Sequence, residues 1–512
     1  MKEVVAVFDF GSQYSQLIAR RIREMGVYCE IVKHTISKDE LLQLDPLAVV
    51  LSGGPASVLE ADHPSMDGEI FSSGIPMLGI CYGMQLMAKM LGGAVEKGRS
   101  GEYGPSSITT HDSSGIFRLM ESPLEVWMSH GDHVAQVPGG FKVLASTGDC
   151  PIASMVDDEG KRYGIQFHPE VVHTPKGGEI IRNFLFHVAG CTGEWTMGRF
   201  AEESVKKIEE TVGEANVICG LSGGVDSAVA AALINAAIGS QMKAIFVDNG
   251  LLRKGEIDEI RSLFTEDYKL DFRIVDARAR FVDALKSVTD PERKRKIIGE
   301  TFVDVFREAA EDIPCARFLA QGTLYPDVVE SQSAHGGPSS TIKSHHNVGG
   351  LPDDLDFELL EPLRELFKDE VRVLGRELGL PKSLLTRQPF PGPGLAVRII
   401  GEVTEDSLAV LRDADAIVQE EIGAYEGYGD IWQSFAVLLP VKSVGVMGDE
   451  RTYANVVALR IVASLDAMTA DWVKLPYDVL GKISSRIINE VRGVNRVVYD
   501  ISSKPPSTIE WE

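Results

Sequence analysis

The feature that most constrains the fold of this 512-residue chain is an alternation of short apolar runs with helical patterns. Between residues 4 and 93 the series reads VVAVFDFG, SQLIARRIREMG, YCEIVKH, LAVVLSGGP, IPMLGICYG and MQLMAKMLGG. Such an alternation, with runs that end in Gly or Pro, indicates a parallel sheet covered by helices. A second series, with NVICGLS as its first strand, follows a helical pattern over residues 197–212. The sequence therefore predicts an α/β fold with two successive doubly wound, mainly parallel-sheet domains.

The regions outside these two series predict additional elements. Between about residues 104 and 168 the runs shorten and turn residues crowd together, which predicts antiparallel strands added to the first sheet. After about residue 388 a few strands and two amphipathic helices indicate a small α+β domain. A chain of this length fits roughly three domains. We place them at residues 1–193, 194–387 and 388–512.

Charge and cysteine content exclude several classes of function. The formal net charge of −24 disfavours nucleic acid and anionic membrane surfaces as partners. No apolar stretch approaches the roughly 20 residues that are needed to span a bilayer. The six cysteines show no C-x-x-C pair and no zinc-binding spacing, which favours thiols in a reducing compartment. We therefore expect a cytoplasmic protein that acts on small molecules.

A cysteine lies at a predicted strand-to-helix turn in the first domain. The sequence GICYG, residues 79–83, places Cys81 between the strand IPMLGI and a helix that begins at Tyr82. Flanking glycines allow a sharp turn, and the helix N-terminus favours a thiolate. The pattern fits a nucleophile, and it also fits a buried core cysteine beside packing glycines.

A base and an oxyanion site could accompany that cysteine. The strand YGIQFHPE ends in His168, and Glu170 lies two residues further on, hence on the same face of an extended chain. Glu170 could hold the tautomer of the imidazole. Backbone amides of the turn LSGGP, residues 51–55, and of Tyr82 are candidate oxyanion donors, although turn-forming glycines alone would explain the first motif.

The motifs GICYGMQ, LSGGP, MSHGD and FHPE, in this order, resemble the class I glutamine amidotransferases over nearly all of residues 1–190. The resemblance implies a Cys81–His168–Glu170 triad that hydrolyses glutamine through a thioester and releases ammonia. It also implies oxyanion donors at Gly54 and Tyr82. The glutamine-binding residues that it implies are Gln85, Ser129, His130 and Asp132.

The second domain begins with a phosphate-loop pattern that has no lysine. In LSGGVDSAV, residues 221–229, two glycines allow close backbone approach at a helix N-terminus, where amides form an anion-binding nest. Asp226 could hold a Mg²⁺ ion that bridges phosphate oxygens. A serine-capped helix after a glycine turn would explain SGG alone, but not the full S-G-G-V-D-S. The residues predicted to bind ATP are Ser222, Gly223, Gly224, Val225, Asp226 and Ser227.

The spacing does not fit the lysine-containing loop of γ-phosphoryl transfer. It resembles the pyrophosphate loop of the N-type ATP pyrophosphatases. That resemblance implies that ATP is cut between its α- and β-phosphates, so that pyrophosphate leaves and AMP is attached to an oxygen of the acceptor. Ammonia would then displace the adenylate.

The two domains together, with the final KPPSTIEWE, resemble the GMP synthetase family over essentially the whole chain. Further matching segments are VDNGLLRKGE, DPERKRKIIGETF, QGTLYPDVVES, SHHNVGGLP and RQPFPGPGLAVR. The resemblance implies xanthosine 5′-monophosphate as acceptor, with glutamine, ATP and Mg²⁺, and a homodimer formed by the C-terminal domain. It also implies ATP contacts at Val247 and Lys368 and nucleotide contacts at Arg295, Lys504, Thr508 and Glu510.

Two more expectations concern segments without a regular pattern. We expect the polar, glycine-rich residues 321–353 to form a lid over ATP, because long loops in compact domains are usually functional. Because the tail keeps Ile509 and Trp511, we expect it to be docked.

Two alternatives to GMP synthesis are the same chemistry on another acceptor, as in NAD synthetase or asparagine synthetase, and a sensor without turnover.

Overall fold

The computed structural model describes residues 3–12, 14–268, 270–332, 357–447, 450–464 and 469–512. It contains two units, Met1–Phe200 and Ala201–Glu512. The described helices are all too short or too polar to cross a membrane. The boundaries of the three expected domains stay a prediction.

Within its described residues, the first unit contains nine strands and four α-helices. The strands are β1 Val4–Asp9, β2 Tyr28–Lys33, β3 Pro46–Leu51, β4 Met77–Ile80, β5 Ala94–Thr110, β6 Leu124–Gln136, β7 Phe141–Ser146, β8 Ser154–Asp157 and β9 Arg162–Ile165. The helices are α1 Ser15–Glu24, α2 Lys38–Gln43, α3 Tyr82–Met90 and α4 Gly177–Asn183.

All nine strands of the first unit belong to one sheet, in the order β2-β1-β3-β4-β9-β8-β7-β5-β6. The first five are parallel, and β9, β8, β7, β5 and β6 are joined by antiparallel pairs. Strand β1 is almost wholly buried because a parallel strand is covered on both faces. The expected parallel sheet, with antiparallel strands added between residues 104 and 168, is confirmed.

The second unit contains the remaining helices and strands. The helices are α5 Met197–Val212, which begins just before the unit, α6 Val225–Ile238, α7 Glu256–Ser262, α8 Arg278–Ala284, α9 Pro291–Glu311, α10 Tyr325–Gln332, α11 Lys368–Glu377, α12 Lys382–Leu385, α13 Glu405–Gly423 and α14 Tyr477–Glu490. The strands are β10 Asn216–Leu221, β11 Met242–Asp248, β12 Asp271–Asp276, β13 Ala316–Ala320, β14 Glu358–Leu360, β15 Gln433–Met447, β16 Glu450–Ala463, β17 Asp471–Trp472 and β18 Val494–Tyr499.

These strands form two sheets. One is a five-stranded sheet of order β12-β11-β10-β13-β14 in which every pair is parallel. The other joins β15, β16 and β17 in antiparallel fashion, and β18 runs parallel to β16. Together with the first unit, they confirm the predicted fold class: two doubly wound, mainly parallel sheets and a small α+β region.

A single hydrophobic core connects the parallel sheet of the second unit with its C-terminal region. Ile218 of β10 and Phe281 of α8 belong to the same buried cluster as Leu411 of α13, Leu459 of β16 and Ile487 of α14. These residues come from both sides of the predicted boundary at residue 387. A chain cut at that boundary would therefore expose the apolar surface of this core to water.

Residues 321–353 were expected to be a loop, but Tyr325–Gln332 form helix α10; the role of the segment as a lid over ATP stays a prediction. Asp327 accepts a hydrogen bond from the Leu324 backbone N–H at 3.0 Å. The Tyr325 ring packs edge-on against Phe367 at 5.3 Å. This cap and this packing supply helix stability that the polar composition does not reveal. The rest of the expected lid, residues 333–353, lies outside the described residues.

Candidate active sites

Cys81 occupies a strained turn between β4 and α3. Its backbone has φ +51° and ψ −107°, a rare conformation for a residue with a side chain. Both flanking glycines are required there: a Cβ at Gly79 would lie 2.8 Å from the carbonyl of Gly83, and one at Gly83 would lie 2.4 Å from that of Leu51. The Cys81 N–H donates to the Ile165 carbonyl at 2.8 Å, which ties the turn to strand β9. The sharp turn predicted from GICYG is confirmed.

His168 and Glu170 form a buried pair beside Cys81. The His168 Nδ1 lies 2.7 Å from the Glu170 Oε1, and Glu170 is fully buried. Burial by itself lowers the pKa of His168, but hydrogen bonds and charges at Cys81 and Glu170 raise it to about 10. The ring is thus held as an imidazolium, the counter-charge that a thiolate requires. The Tyr14 ring packs edge-on against His168 at 5.4 Å.

The LSGGP turn lies against Cys81 and His168. A Cβ built on Gly53 would be 3.2 Å from the His168 Cε1 and 3.9 Å from the Cys81 Cβ. A Cβ on Gly54 would be 3.3 Å from the Cγ of Tyr82. The end of β3, the start of α3 and the His168 loop therefore meet at one point, as expected at the carboxyl edge of a parallel sheet.

The residues expected to bind glutamine surround this point, with different orientations. The Gln85 amide donates to the Asp132 carbonyl at 2.7 Å, and the Cys81 thiol contacts the Ser129 carbonyl at 3.8 Å. The Asp132 carboxylate accepts a hydrogen bond from the Ser57 hydroxyl. The His130 ring points to Glu102, at 3.3 Å, and thus forms part of a separate cluster.

One residue of this site did not emerge from the sequence. Gln166 is fully buried, and its Nε2 lies 3.6 Å from the Cys81 Sγ and its Oε1 3.3 Å from the Gln85 Nε2. It precedes His168 by two positions, the same spacing that connects His168 with Glu170. That alternation along YGIQFHPE is a signal that could have identified it.

The lysine-free loop forms a glycine turn at the start of α6. Gly223 has φ +76°, and Gly224 is the N-cap residue of the helix. The Ser227 hydroxyl donates to the Gly224 carbonyl at 3.1 Å and accepts a hydrogen bond from the Ser222 N–H at 3.3 Å. The Ser222 hydroxyl accepts one from the Gly224 N–H at 3.3 Å. The predicted strand, glycine turn and helix are confirmed.

Cationic side chains lie around this loop. The Lys368 ammonium contacts both carboxylate oxygens of Asp226, at 2.6 and 2.5 Å. Arg387 donates to the Gly223 carbonyl at 3.1 Å and pairs with Glu256 at 2.7 Å. A Cβ on Gly322 would be 3.3 Å from the Ser227 backbone nitrogen, so QGTLYPD begins against the loop. Lys368 and Asp226, both predicted to bind ATP, are thus neighbours.

Val247 lies in a different setting from the other residues predicted to contact ATP. Its side chain is buried in the core of the second unit, near the carboxyl end of β11. Its contact with ATP stays a prediction.

The C-terminal tail is docked, as Ile509 and Trp511 led us to expect. Ile509 is buried, and the Trp511 indole N–H donates to Asp500 at 2.9 Å. Lys504 exchanges two backbone hydrogen bonds with Ala470, at 2.7 and 3.0 Å. Arg295 donates to the carbonyl of Glu512 at 2.5 Å. The four residues expected at the substrate nucleotide therefore belong to one region: Arg295, Lys504, Thr508 and Glu510.

Three fully buried cations hold this tail, and the sequence did not reveal them. Arg398 makes two hydrogen bonds to the Glu510 carboxylate, at 3.1 and 2.8 Å. Arg460 donates to the Thr508 carbonyl at 2.9 Å, and Lys294 contacts the Glu512 carboxylate. Lys294 lies in the basic segment ERKRK, residues 292–296.

Comparisons with known proteins cover each part of the chain. The glutamine amidotransferase class-I family model matches residues 6–188, the NAD synthase model residues 199–292, and the GMP synthase C-terminal domain model residues 420–511. The NAD synthase match alone would leave the acceptor open, because it covers only the region around the lysine-free loop.

Full-length relatives identify the family of the whole chain. A GMP synthase [glutamine-hydrolyzing] from Caldanaerobacter subterraneus subsp. tengcongensis is 57% identical over 100% of this chain and 99% of its own length. Proteins of the same name from Clostridium perfringens and Maridesulfovibrio salexigens are 54% and 56% identical, over 100% and 99% of both chains. The chain therefore belongs to the glutamine-hydrolysing GMP synthase family, which confirms the family and the enzyme class expected from its sequence.

Proposed function

We propose that Cys81, His168 and Glu170 generate ammonia from glutamine. The Cys81 thiolate attacks the carboxamide carbon, and the C–N bond breaks as His168 protonates the departing ammonia. Water then hydrolyses the thioester to glutamate and restores the thiol. Backbone amides of Gly54 and Tyr82 stabilise the oxyanion of each tetrahedral intermediate.

The observation that carries this proposal is the strained conformation of Cys81 beside the buried His168–Glu170 pair. A core cysteine gains nothing from φ +51° and two obligatory flanking glycines. The 2.7 Å contact orients the imidazole and leaves its second nitrogen for the sulfur. Gln85, Ser129, Asp132 and the newly identified Gln166 are the proposed contacts for glutamine.

The lysine-free loop is the proposed site of ATP cleavage to AMP and pyrophosphate. Its amides and hydroxyls at Ser222, Gly224 and Ser227 lie at the N-terminus of α6, where the helix dipole stabilises anions. Lys368, which contacts Asp226 beside this loop, is the proposed cationic contact for the pyrophosphate. The purine 2-oxygen of xanthosine 5′-monophosphate receives the adenylyl group, and ammonia displaces AMP to form GMP.

Asp226 also fits a magnesium ion. Its carboxylate already accepts a cation, the Lys368 ammonium, on both oxygens, and it remains partly exposed. Mg²⁺ binds in proteins through one or two carboxylates together with waters and substrate phosphates. The ion would supply charge neutralisation to the departing pyrophosphate, and the Asp226 carboxylate would hold it.

The docked tail is the proposed binding region for the substrate nucleotide. Lys504, Thr508 and Glu510 lie within one segment of the tail. Hydrogen bonds from the buried Arg398 and Arg460 hold this segment in place. A segment that is already ordered loses little conformational entropy when it binds a ligand. Arg295, which also contacts the last residue, places a positive charge close to that segment.

Product analysis tests the proposed cleavage. With xanthosine 5′-monophosphate labelled with ¹⁸O at the 2-position, the enzyme should release AMP that contains the label, together with pyrophosphate. The Ser227→Ala variant should lose about 10- to 100-fold in kcat/KM for ATP, as expected for a hydrogen bond to a charged group. Ser204→Ala on α5 is the matched control. Release of ADP and phosphate, or unlabelled AMP, contradicts the proposal.

We also propose a homodimer formed by the C-terminal region. Val441, Val444, Val446 and Tyr453 are exposed apolar side chains on the hairpin of β15 and β16, where a second copy could cover them. Light scattering should show a dimer that Val446→Glu weakens, and a monomeric wild-type chain contradicts the proposal. A cytoplasmic location remains the expectation drawn from the cysteines.

A further inference from the structure

A second group of polar side chains lies in the first unit, apart from the Cys81 triad. Glu102 of β5 and His130 of β6 are cross-strand partners, and Cys150 lies in the turn between β7 and β8. The Glu carboxylate, the His ring nitrogen and the Cys sulfur lie within 4.8 Å of one another. These residues are 48 positions apart in sequence at most, and no metal-binding spacing connects them.

Two buried atoms of this group face each other without a hydrogen bond. The His130 Nε2 and the Glu102 Oε2 lie 3.3 Å apart, yet neither has a hydrogen-bond partner among the described atoms. The His130 side chain is only 6% exposed. Its Nδ1 lies 3.1 Å from the Asp132 carbonyl, which can only accept a hydrogen bond, so this nitrogen is the donor and a neutral ring has its lone pair on Nε2, facing the carboxylate. Two acceptors in this arrangement repel each other unless a proton or a metal ion lies between them.

The surrounding contacts are those that metal ligands usually have. A metal-bound histidine commonly donates its other N–H to a backbone carbonyl, as His130 does. The Glu102 Oε1 accepts hydrogen bonds from Ser106 at 3.0 Å and Thr147 at 3.2 Å, so Oε2 remains available. The Thr147 hydroxyl also accepts one from the Cys150 N–H at 2.8 Å, which fixes the cysteine beside the glutamate.

We propose that Glu102, His130 and Cys150 bind one zinc-like divalent transition-metal ion. The combination of thiolate, imidazole and carboxylate suits Zn²⁺ or Co²⁺, whereas Mg²⁺ and Ca²⁺ prefer oxygen ligands alone. Ligand atoms at about 2.0–2.3 Å from one tetrahedral ion lie about 3.3–3.6 Å apart, so the three side chains must approach one another by up to about 1 Å. Binding replaces the thiol proton of Cys150 with the metal and releases that proton to solvent.

The ion would hold the segment that precedes Asp132 against β5. The Asp132 carbonyl accepts hydrogen bonds from both His130 and Gln85, and Gln85 is a proposed glutamine contact. The metal site would therefore lie directly behind the glutamine pocket, as a structural support that takes no part in the reaction.

Cobalt binding by the full-length protein tests this site. After treatment with a chelator, titration with Co²⁺ should reach one ion per chain and produce a thiolate-to-cobalt charge-transfer band in the near ultraviolet. Zn²⁺ should displace the cobalt and remove the band. The band should be lost in Cys150→Ser and retained in Cys191→Ser, whose thiol is also buried. It should also be retained in Cys81→Ser, which removes the catalytic thiol.

A second variant keeps the test decisive if Cys150→Ser does not fold. Glu102→Gln retains an oxygen that can accept from Ser106 and Thr147, so it should fold, as circular dichroism can verify. Its cobalt affinity should fall by at least about tenfold. The proposal is overturned by the absence of a band in the wild type, by unchanged affinity in Glu102→Gln, or by loss of the band in Cys81→Ser.

Discussion

Replacement of Gly83 by alanine tests whether the Cys81 turn controls glutamine hydrolysis. A Cβ at this position would lie 2.4 Å from the carbonyl oxygen of Leu51, whereas ordinary contacts begin at 3.4 Å. The two segments must therefore separate by about 1 Å. Leu51 ends strand β3, which is hydrogen-bonded between β1 and β4. The start of α3 should move instead, and Cys81 with it.

The size of the effect follows from this displacement. Overpacking of this kind costs about 1–3 kcal/mol of the free energy of unfolding. A nucleophile misplaced by about 1 Å loses about 100-fold in rate. Glutamine-dependent GMP formation should therefore fall by about two orders of magnitude, while formation from ammonium salt should be unchanged because that reaction does not need Cys81.

The assay compares steady-state GMP formation from glutamine and from ammonium salt in the same preparation. Gly139→Ala is the matched control, because a Cβ there has no atom within 4 Å. It should leave both activities and the Tm unchanged. A glutamine-dependent kcat of Gly83→Ala within about threefold of the wild type would show that the Cys81 turn does not control glutamine hydrolysis.

Three further predictions concern other charged pairs. Glu170→Gln should lower glutamine-dependent kcat by about 10⁴-fold. The pKa of His168, now about 10, should fall in an NMR titration, and an unchanged midpoint would contradict the contribution of Glu170 to this raised pKa. Folding raises the pKa of His168 from 6.5. Protonated His168 therefore stabilises the folded state fully below about pH 6.5, and this contribution is lost as the pH rises towards 10. The free energy of unfolding in urea should show this decrease with pH in the wild type and less of it in the variant. Glu510→Gln leaves buried Arg398 without its charged partner. The KM of this variant for xanthosine 5′-monophosphate should rise at least tenfold, while ammonia release from glutamine persists. An unchanged KM would count against the tail as the nucleotide site. Lys368→Met should reduce ammonium-dependent GMP formation by about 10²- to 10³-fold, with Lys382→Met as control, and a normal rate would exclude the phosphate contact.

Much of the fold could be predicted because it depends on local patterns. The helical pattern over residues 197–212 became α5 with the same bounds, and NVICGLS became β10. The turn at Cys81 was predictable because its conformation demands glycine at the neighbouring positions. His168 and Glu170 were predictable as a pair because alternate residues of an extended chain share a face.

Contacts between distant segments could not be predicted in this way. The orientation of His130 towards Glu102 depends on the register of β5 with β6, which shifts between Lys97 and Glu102. In the sequence, Lys294 is one of several cations in a basic segment. In the structure, its ammonium donates to the carbonyls of Ala396 and Ile399, which lie more than 100 positions further along the chain. Buried cations of this kind carry no local signal, since their partners are set by tertiary packing alone.

In the proposed function, one unit makes ammonia at Cys81 and the other consumes it on an ATP-activated purine nucleotide. The most direct test is GMP formation by Cys81→Ala with xanthosine 5′-monophosphate, ATP and Mg²⁺. The variant should form no GMP from glutamine and should form it from ammonium salt at the wild-type rate. Loss of both activities in a folded variant, or retention of the glutamine-dependent one, would contradict the proposed function.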